Sequence, residues 1–193
     1  LRNKKREEQL AKKKWPLNPE EFRKYEAAAN DAEDHVKLLI LFLLYTGCRV
    51  SDAYGLEVRD VNLTENIPTM YLRHNSIRRL DKDGIQANIP LVGPLLEALR
   101  SYEMSNSPND PVFPEFANIK SGRDRASGEA NKVRKMAKIT REGVTAHSAR
   151  HTWQDRLDAA RVPIAERDYL IAHKTKQSSA VAQAYGSAYP AKN

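Results

Sequence analysis

Leu38-Leu39-Ile40-Leu41-Phe42-Leu43-Leu44-Tyr45-Thr46-Gly47-Cys48-Arg49-Val50-Ser51-Asp52 is the stretch whose reading decides the fold. A helix starting at Asp34 is apolar on nearly every side from Val36 to Tyr45, and such a helix belongs at the centre of a domain. Gly47 supplies its stop. Ser51 and Asp52 then read as the cap of a short helix running toward Leu56. Arg49 therefore sits in a glycine-containing turn between a buried helix and a new one, where a guanidinium can be held rigidly near a helix N-terminus, a place where anions also bind well. Taken alone, an arginine in this setting is more often a surface or ion-paired residue.

Working outward from the central helix, Trp15-Pro16-Leu17-Asn18-Pro19-Glu20-Glu21 marks another helix start, with Asn18 as N-cap, Pro19 at the first position and two acids at the positive end of the dipole. That helix runs to about Ala29. From Asn62 the character changes. Thr69–Leu72 and Gln86–Leu91 carry strand residues, separated by polar and turn residues including Asp83-Gly84, and predict a β-hairpin or a small three-stranded sheet. Helices resume over Val92–Tyr102, Arg125–Lys138, His147–Ala160, Pro163–Ala172 and Ser179–Tyr185, and Asn106–Pro114 reads as a loop. The expected class is α+β, mainly helical, with one small antiparallel sheet.

The chain has 193 residues and a formal net charge of +7, which suits one domain and favours a polyanionic partner, nucleic acid above all, with membranes and acidic proteins as the alternatives. Its single cysteine, Cys48, excludes an internal disulfide framework and a cysteine-rich zinc site, and fits a reducing cytoplasm. The longest apolar run, Leu38–Leu44, is far below the roughly 18 residues of a membrane span. No apolar segment follows the basic N-terminus, so no signal peptide is read there. Residues 1–14 are rich in Lys, Arg, Glu and Gln and read as a basic linker or the exposed end of a helix. Residues 15–193 read as the main domain, and a first residue of Leu1 suggests a fragment or a processed chain.

Two further stretches bear on chemistry. In Thr145-Ala146-His147-Ser148-Ala149-Arg150-His151-Thr152-Trp153, helical spacing puts His147 and Arg150 on one face. One can move a proton near neutral pH and the other can grip a phosphate with two parallel donors. The plainer reading is a capped helix with an incidental histidine pair. A metal site is disfavoured by the arginine beside the histidines and by the lack of a carboxylate in the motif. The third stretch, Tyr169-Leu170-Ile171-Ala172-His173-Lys174, is followed twelve positions after His173 by Tyr185-Gly186. A lone histidine or tyrosine of this kind is usually structural.

Taken together and in this order, the pieces resemble the tyrosine recombinase family of phage integrases. Thr46-Gly47-Cys48-Arg49-Val50-Ser51-Asp52 resembles its Thr-Gly-x-Arg-x-Ser-acid box, and His147-Ser148-Ala149-Arg150-His151 its His-x-x-Arg-His box. Ala172-His173 followed by Tyr185 resembles its Gly-His…Tyr ending, with Ala172 at the usual glycine. Ile89-Pro90-Leu91 resembles the close of its strand pair. The resemblance covers the chain from about residue 17 onward, and it implies that residues 1–14 are a basic linker or the end of an N-terminal DNA-binding domain.

The resemblance implies the recombinase DNA breaking-rejoining fold and strand exchange through a 3′-phosphotyrosine, with no cofactor and no metal. It implies Tyr185 as nucleophile, Arg49 and Arg150 as the phosphate clamp, His147 as proton carrier and His173 as a phosphate hydrogen-bond donor. Lys82 is the candidate general acid on the hairpin, in the unusual company of Asp81 and Asp83, with Arg78 and Arg79 as substitutes for phosphate contact. Tyr189 competes with Tyr185 as nucleophile. Asp52 is expected to buttress the arginine turn, His151 to support the arrangement, and Trp15 and Trp153 to pack at the core or its edge. Arg123, Arg125, Lys132, Arg134, Lys135 and Lys138 are candidates to track the DNA backbone, or form a solvated basic face.

The expected partner is double-stranded DNA, without a membrane, in the cytoplasm of a bacterial or phage-infected cell in association with the nucleoid. Three alternatives stay open: a type IB topoisomerase, a catalytically silent DNA-binding relative, and a generic basic helical module. With a tetramer expected only on recombining DNA and a short segment after Tyr185, the isolated chain should be largely monomeric. Light scattering without DNA should give a monomer mass, and a stable tetramer would contradict this.

Overall fold

The computed structural model describes residues 14–80 and 85–173. The expectations that fall on residues 1–13, on Asp81, Lys82, Asp83 and Gly84, and on the helix over Ser179–Tyr185 lie outside them.

Helix α1 (Pro19–Ala29) begins where the sequence asks for it. The Asn18 side chain accepts from the Glu21 amide at 2.8 Å, and the Asn18 amide donates back to the Glu21 carboxylate at 2.9 Å. This reciprocal pair satisfies two of the amides that a helix start leaves open. Helix α2 (Asp34–Thr46) is the centre of the domain. Its residues Leu38 to Leu44 are 0–3% exposed, and burying each such side chain stabilises by roughly 2 kcal/mol. It packs against α1, against the short helix α3 (Val50–Tyr54), and against α4 (Gly93–Ser101), α6 (Gly122–Met136) and α7 (Ser148–Ala159). Between α4 and α6 lies α5 (Pro114–Ala117), one turn at the end of the predicted loop. The last described helix is α8 (Ile164–Leu170).

A 3-10 turn (Val58–Asp60) leads into a three-stranded antiparallel sheet of order β1 (Val61–Asn62), β2 (Thr69–Leu72), β3 (Ala87–Pro90). Met70 pairs with Val61 on one side and Ile89 on the other, and Leu72 pairs with Ala87. The strand alternation turns Met70, Leu72, Ala87 and Ile89 inward, and all are at most 1% exposed. Helix α8 lies against β3, where the Asn88 amide donates to the Tyr169 hydroxyl at 3.0 Å.

Two of the boundaries that differ from the sequence reading have a direct physical cause. The short helix begins at Val50, with Arg49 in the cap position. Ser51 and Asp52 are thus inside its first turn, and Asp52 caps by its side chain from the third position. Helix α6 begins at Gly122, three residues before the expected start. A Cβ at Gly122 would lie 2.0 Å from the Phe116 carbonyl oxygen, so close backbone packing, which periodicity does not report, decides that start. No helix of the described residues is long and apolar enough to cross a membrane.

Gly47 ends α2 in the left-handed region (φ +63°), with its amide bonded to the Leu43 carbonyl at 3.2 Å. Helix α7 passes so close that a Cβ on Gly47 would lie 2.7 Å from Trp153 Cβ. Gly47→Ala therefore combines a left-handed alanine with a clash against the fixed base of a side chain. It is expected to destabilise by about 3 kcal/mol, read as a lower urea midpoint at unchanged slope.

Candidate functional site

The arginine turn is built by local hydrogen bonds. The Thr46 hydroxyl donates to the Phe42 carbonyl at 2.6 Å and accepts from the Cys48 amide at 3.2 Å. The Arg49 amide donates to Asp52 Oδ2 at 3.1 Å, and the same oxygen lies 3.9 Å from Arg49 Nη1. Asp52 is buried and buttresses the turn from both backbone and side chain. The Arg49 guanidinium, half-buried, is left facing across the domain.

Helix α7 brings the second arginine to the same place. Its start is tied by the Thr145 amide to Ser148 Oγ at 3.0 Å and by the Ala146 amide to Asn131 Oδ1 at 3.0 Å. His147 occupies the cap position and Arg150 the first turn. Arg150 is 5% exposed. Its Nη1 donates to the Gly47 carbonyl at 2.9 Å, and its Nη2 is buried with no hydrogen-bond partner among the described residues. Burial, and then the nearby Arg49 charge, lower Arg150 to about 10.

His147 stands edge-to-face against His151, ring centroids 5.2 Å apart. Packing on its inner side, followed by the positive fields of His151, Arg150 and Arg49, pushes His147 down to about 4, although its outer edge remains open to solvent. At neutral pH its ring is therefore uncharged and able to accept a proton.

His173 arrives from the end of α8. Its amide donates to the Asp168 carbonyl at 2.8 Å, after a left-handed Ala172 (φ +48°) buried in the core. That backbone conformation favours glycine, which accounts for the usual residue of the resembled motif. Nδ1 of His173 lies 3.2 Å from Arg49 Nη2. A guanidinium can only donate, so Nδ1 is the acceptor and a neutral ring carries its proton on Nε2.

Four of the six expected residues, Arg49, His147, Arg150 and His173, thus gather around one point. They come from the turn after α2, the start of α7 and the end of α8. Lys82 and Tyr185 lie outside the described residues. Two other expectations need correction. Arg78 is not available for phosphate contact: it is 2% exposed, and its guanidinium donates to the Asp52 carbonyl and, through two nitrogens, to the Arg73 carbonyl. Arg134 is likewise removed from the basic face, because it is buried and donates to the Ile139 carbonyl and to Asn131 Oδ1. Arg123, Arg125, Lys132, Lys135 and Lys138 are exposed. Charge and spacing do not separate the buried from the exposed member of the pairs Arg78-Arg79 and Arg134-Lys135, since both members carry the same charge.

Residues 16–190 match the family model described as "Phage integrase family". No curated protein matches the chain. Among solved structures, the fold is similar to that of XerA recombinase, at 21% identity, over 93% of this chain and 67% of that one, with a TM-score of 0.68. It is also similar to XerH site-specific recombinase bound to difH substrate in a pre-cleavage complex (17% identity, 92% and 54% covered, TM-score 0.60). A lambda integrase dimer bound to a COC′ core site gives 18% identity, 94% and 51% covered, and a TM-score of 0.59. The chain therefore spans about two thirds of the first structure's length and about half of the other two. From its family motif over residues 16–190 and its helical fold with a three-stranded sheet, the chain belongs to the phage integrase family, the tyrosine recombinases.

Proposed function

We propose that residues 15–193 form the strand-cleaving and rejoining domain of a site-specific DNA recombinase acting on double-stranded DNA, with a tetramer as the recombining assembly. The observation that carries this reading is the Arg150 guanidinium, buried beside a second cation and with no hydrogen-bond partner for Nη2 among the described residues. A buried donor without an acceptor costs about 1–3 kcal/mol, more when charged, and an anion such as a phosphodiester would relieve it. The DNA-bound XerH and lambda integrase structures support the choice of DNA.

In this reaction the Tyr185 phenol oxygen attacks phosphorus in line, forming the phosphotyrosine bond as the bond from phosphorus to the 5′ oxygen breaks. The phenol proton passes to His147. The departing 5′ oxygen takes a proton from Lys82. Arg49 and Arg150 absorb the charge that grows on the non-bridging oxygens, and the Nε2–H of His173 donates to one of them. A bound phosphate offsets the positive field on His147 and raises its proton affinity, which suits it to the transfer. Rejoining reverses each step, with the 5′ hydroxyl of the exchanged strand as nucleophile. The phosphodiester energy is kept in the covalent intermediate.

A duplex site recovered by binding selection from a randomised library, then nicked near the scissile phosphate, tests this. The nick lets the 5′ fragment diffuse away, so the protein should accumulate as a covalent DNA adduct. Tyr185→Phe should form none, and adduct formation by that variant would move the nucleophile elsewhere. Arg150→Ala should lower the trapping rate roughly 100- to 1000-fold.

The His147 environment also sets a pH dependence of folding. The unfolded chain takes up this proton near the ordinary 6.5, the folded chain only at about 4. Between these values the unfolded state binds more protons, so stability rises with pH; the contribution is complete above about 6.5 and is lost as pH falls through about 4. Urea midpoints measured across that window should climb for the parent chain and climb less for His147→Gln. Equal slopes would contradict the assignment.

A further inference from the structure

Helix α3, which follows Arg49, has five residues. A helix this short does not sustain itself, because nucleation is unfavourable and few bonds follow it. Its first turn is held by Asp52, whose carboxylate accepts from the Arg49 amide. Its other end is held from outside, by the segment leaving β2. Arg78 Nη1 donates to the Asp52 carbonyl at 2.6 Å, and Asn75 Nδ2 donates to the Gly55 carbonyl at 2.8 Å. These are carbonyls at the end of a helix, where a lost partner leaves an acceptor open.

The segment that delivers these donors is itself closed. Asn75 Oδ1 accepts from the Ile77 and Arg78 amides at 3.0 and 2.7 Å, and the Asn75 amide donates to the Arg78 carbonyl at 3.0 Å. Arg78 Nε and Nη2 return to the Arg73 carbonyl at 3.0 and 2.7 Å, and Nη2 lies 3.7 Å from Asp60. Gly55 makes the approach possible, since a Cβ there would sit 2.5 Å from Arg78 Cβ. All three nitrogens of the Arg78 guanidinium are therefore engaged in fixed directions, which a lysine ammonium could not reproduce.

From this we propose that Arg78 is a positioning residue for strand cleavage, acting through Asp52 to hold the Arg49 guanidinium against the scissile phosphate. One residue carries the link: the Asp52 carbonyl is fixed by Arg78, while its carboxylate is bonded to the Arg49 amide and faces the Arg49 side chain at 3.9 Å. The inference rests on the reading of Arg49 as part of the phosphate clamp.

The test compares two nicked duplexes of the selected site, one with an ordinary scissile phosphate and one with a methylphosphonate there. The methyl group removes the negative charge that Arg49 would neutralise, so a defect in that neutralisation matters less on the second substrate. Arg78→Met should lower the trapping rate relative to the parent roughly 10- to 100-fold on the phosphate, below the roughly 100- to 1000-fold typical of losing a direct donor. It should regain most of that loss on the methylphosphonate, as should Arg49→Ala. Equal losses for Arg78→Met on both substrates, with Arg49→Ala restored, would mean that Arg78 serves the fold alone, and the inference fails. Failure of Arg49→Ala to be restored would instead overturn the reading of Arg49, and the inference with it. If Arg78→Met does not fold, Asn75→Ala, which removes the cap on Gly55 and loosens the turn that carries Arg78, is measured on the same pair of duplexes. Recovery on the methylphosphonate then supports the link through Asp52, and equal losses on both duplexes overturn it.

Discussion

The bond from Arg150 to the Gly47 carbonyl joins residues 103 apart in sequence, and the rest of the site depends on it. It ties the first turn of α7 to the end of α2 and buries one guanidinium beside another. Placing like charges together out of water is unfavourable unless something compensates. Here the compensation is partial. Asp52 lies beside both arginines, and backbone carbonyls take some of the donors. Nη2 of Arg150 remains without an acceptor among the described residues. A site under this tension gains more from an anion than a neutral surface would, because the protein has already met the cost of gathering the charges.

That cost is met by the surrounding packing. Helix α2 is buried almost all round, so its C-terminal end does not shift, and the turn that follows inherits its rigidity. The absence of a side chain at Gly47 lets α7 come within reach of the turn. On the far side, Glu57 and Asp60, each 1% exposed, pair with Arg73 at 2.8 and 2.7 Å. These buried ion pairs contribute little net stability by themselves, but losing one partner would strand the other charge. They hold the segment after β2 against the 3-10 turn, and so connect the sheet to the helix that follows Arg49.

The two histidines differ through their surroundings. His147 is partly desolvated and lies near positive groups, so it remains neutral at pH 7, whereas His173 has its Nδ1 occupied by a guanidinium donor and so carries its proton on Nε2 when neutral. One ring is arranged to accept a proton and the other to donate a hydrogen bond, although the side chains are chemically identical.

Much of this was legible in the residue order. The cap at Asn18, the stop at Gly47, the buried run from Leu38 to Leu44 and the inward alternation of Met70, Leu72, Ala87 and Ile89 follow from local rules of periodicity and backbone conformation, which act over a few residues. The Thr46–Asp52 and His147–His151 stretches pointed to a candidate site through their joint resemblance to a family's motifs, each alone being open to a plain structural reading. What only the tertiary structure decided was which like residues are buried and what they touch. Arg78 and Arg134 differ from their exposed neighbours in nothing that charge or spacing records, yet one donates to a carbonyl near the end of α3 and the other to a carbonyl in the segment that follows α6. The approach of Arg49 to His173, across 124 positions, and the lowered proton affinity of His147 arise from distances in space, and a Coulomb field depends on those distances whatever the separation along the chain.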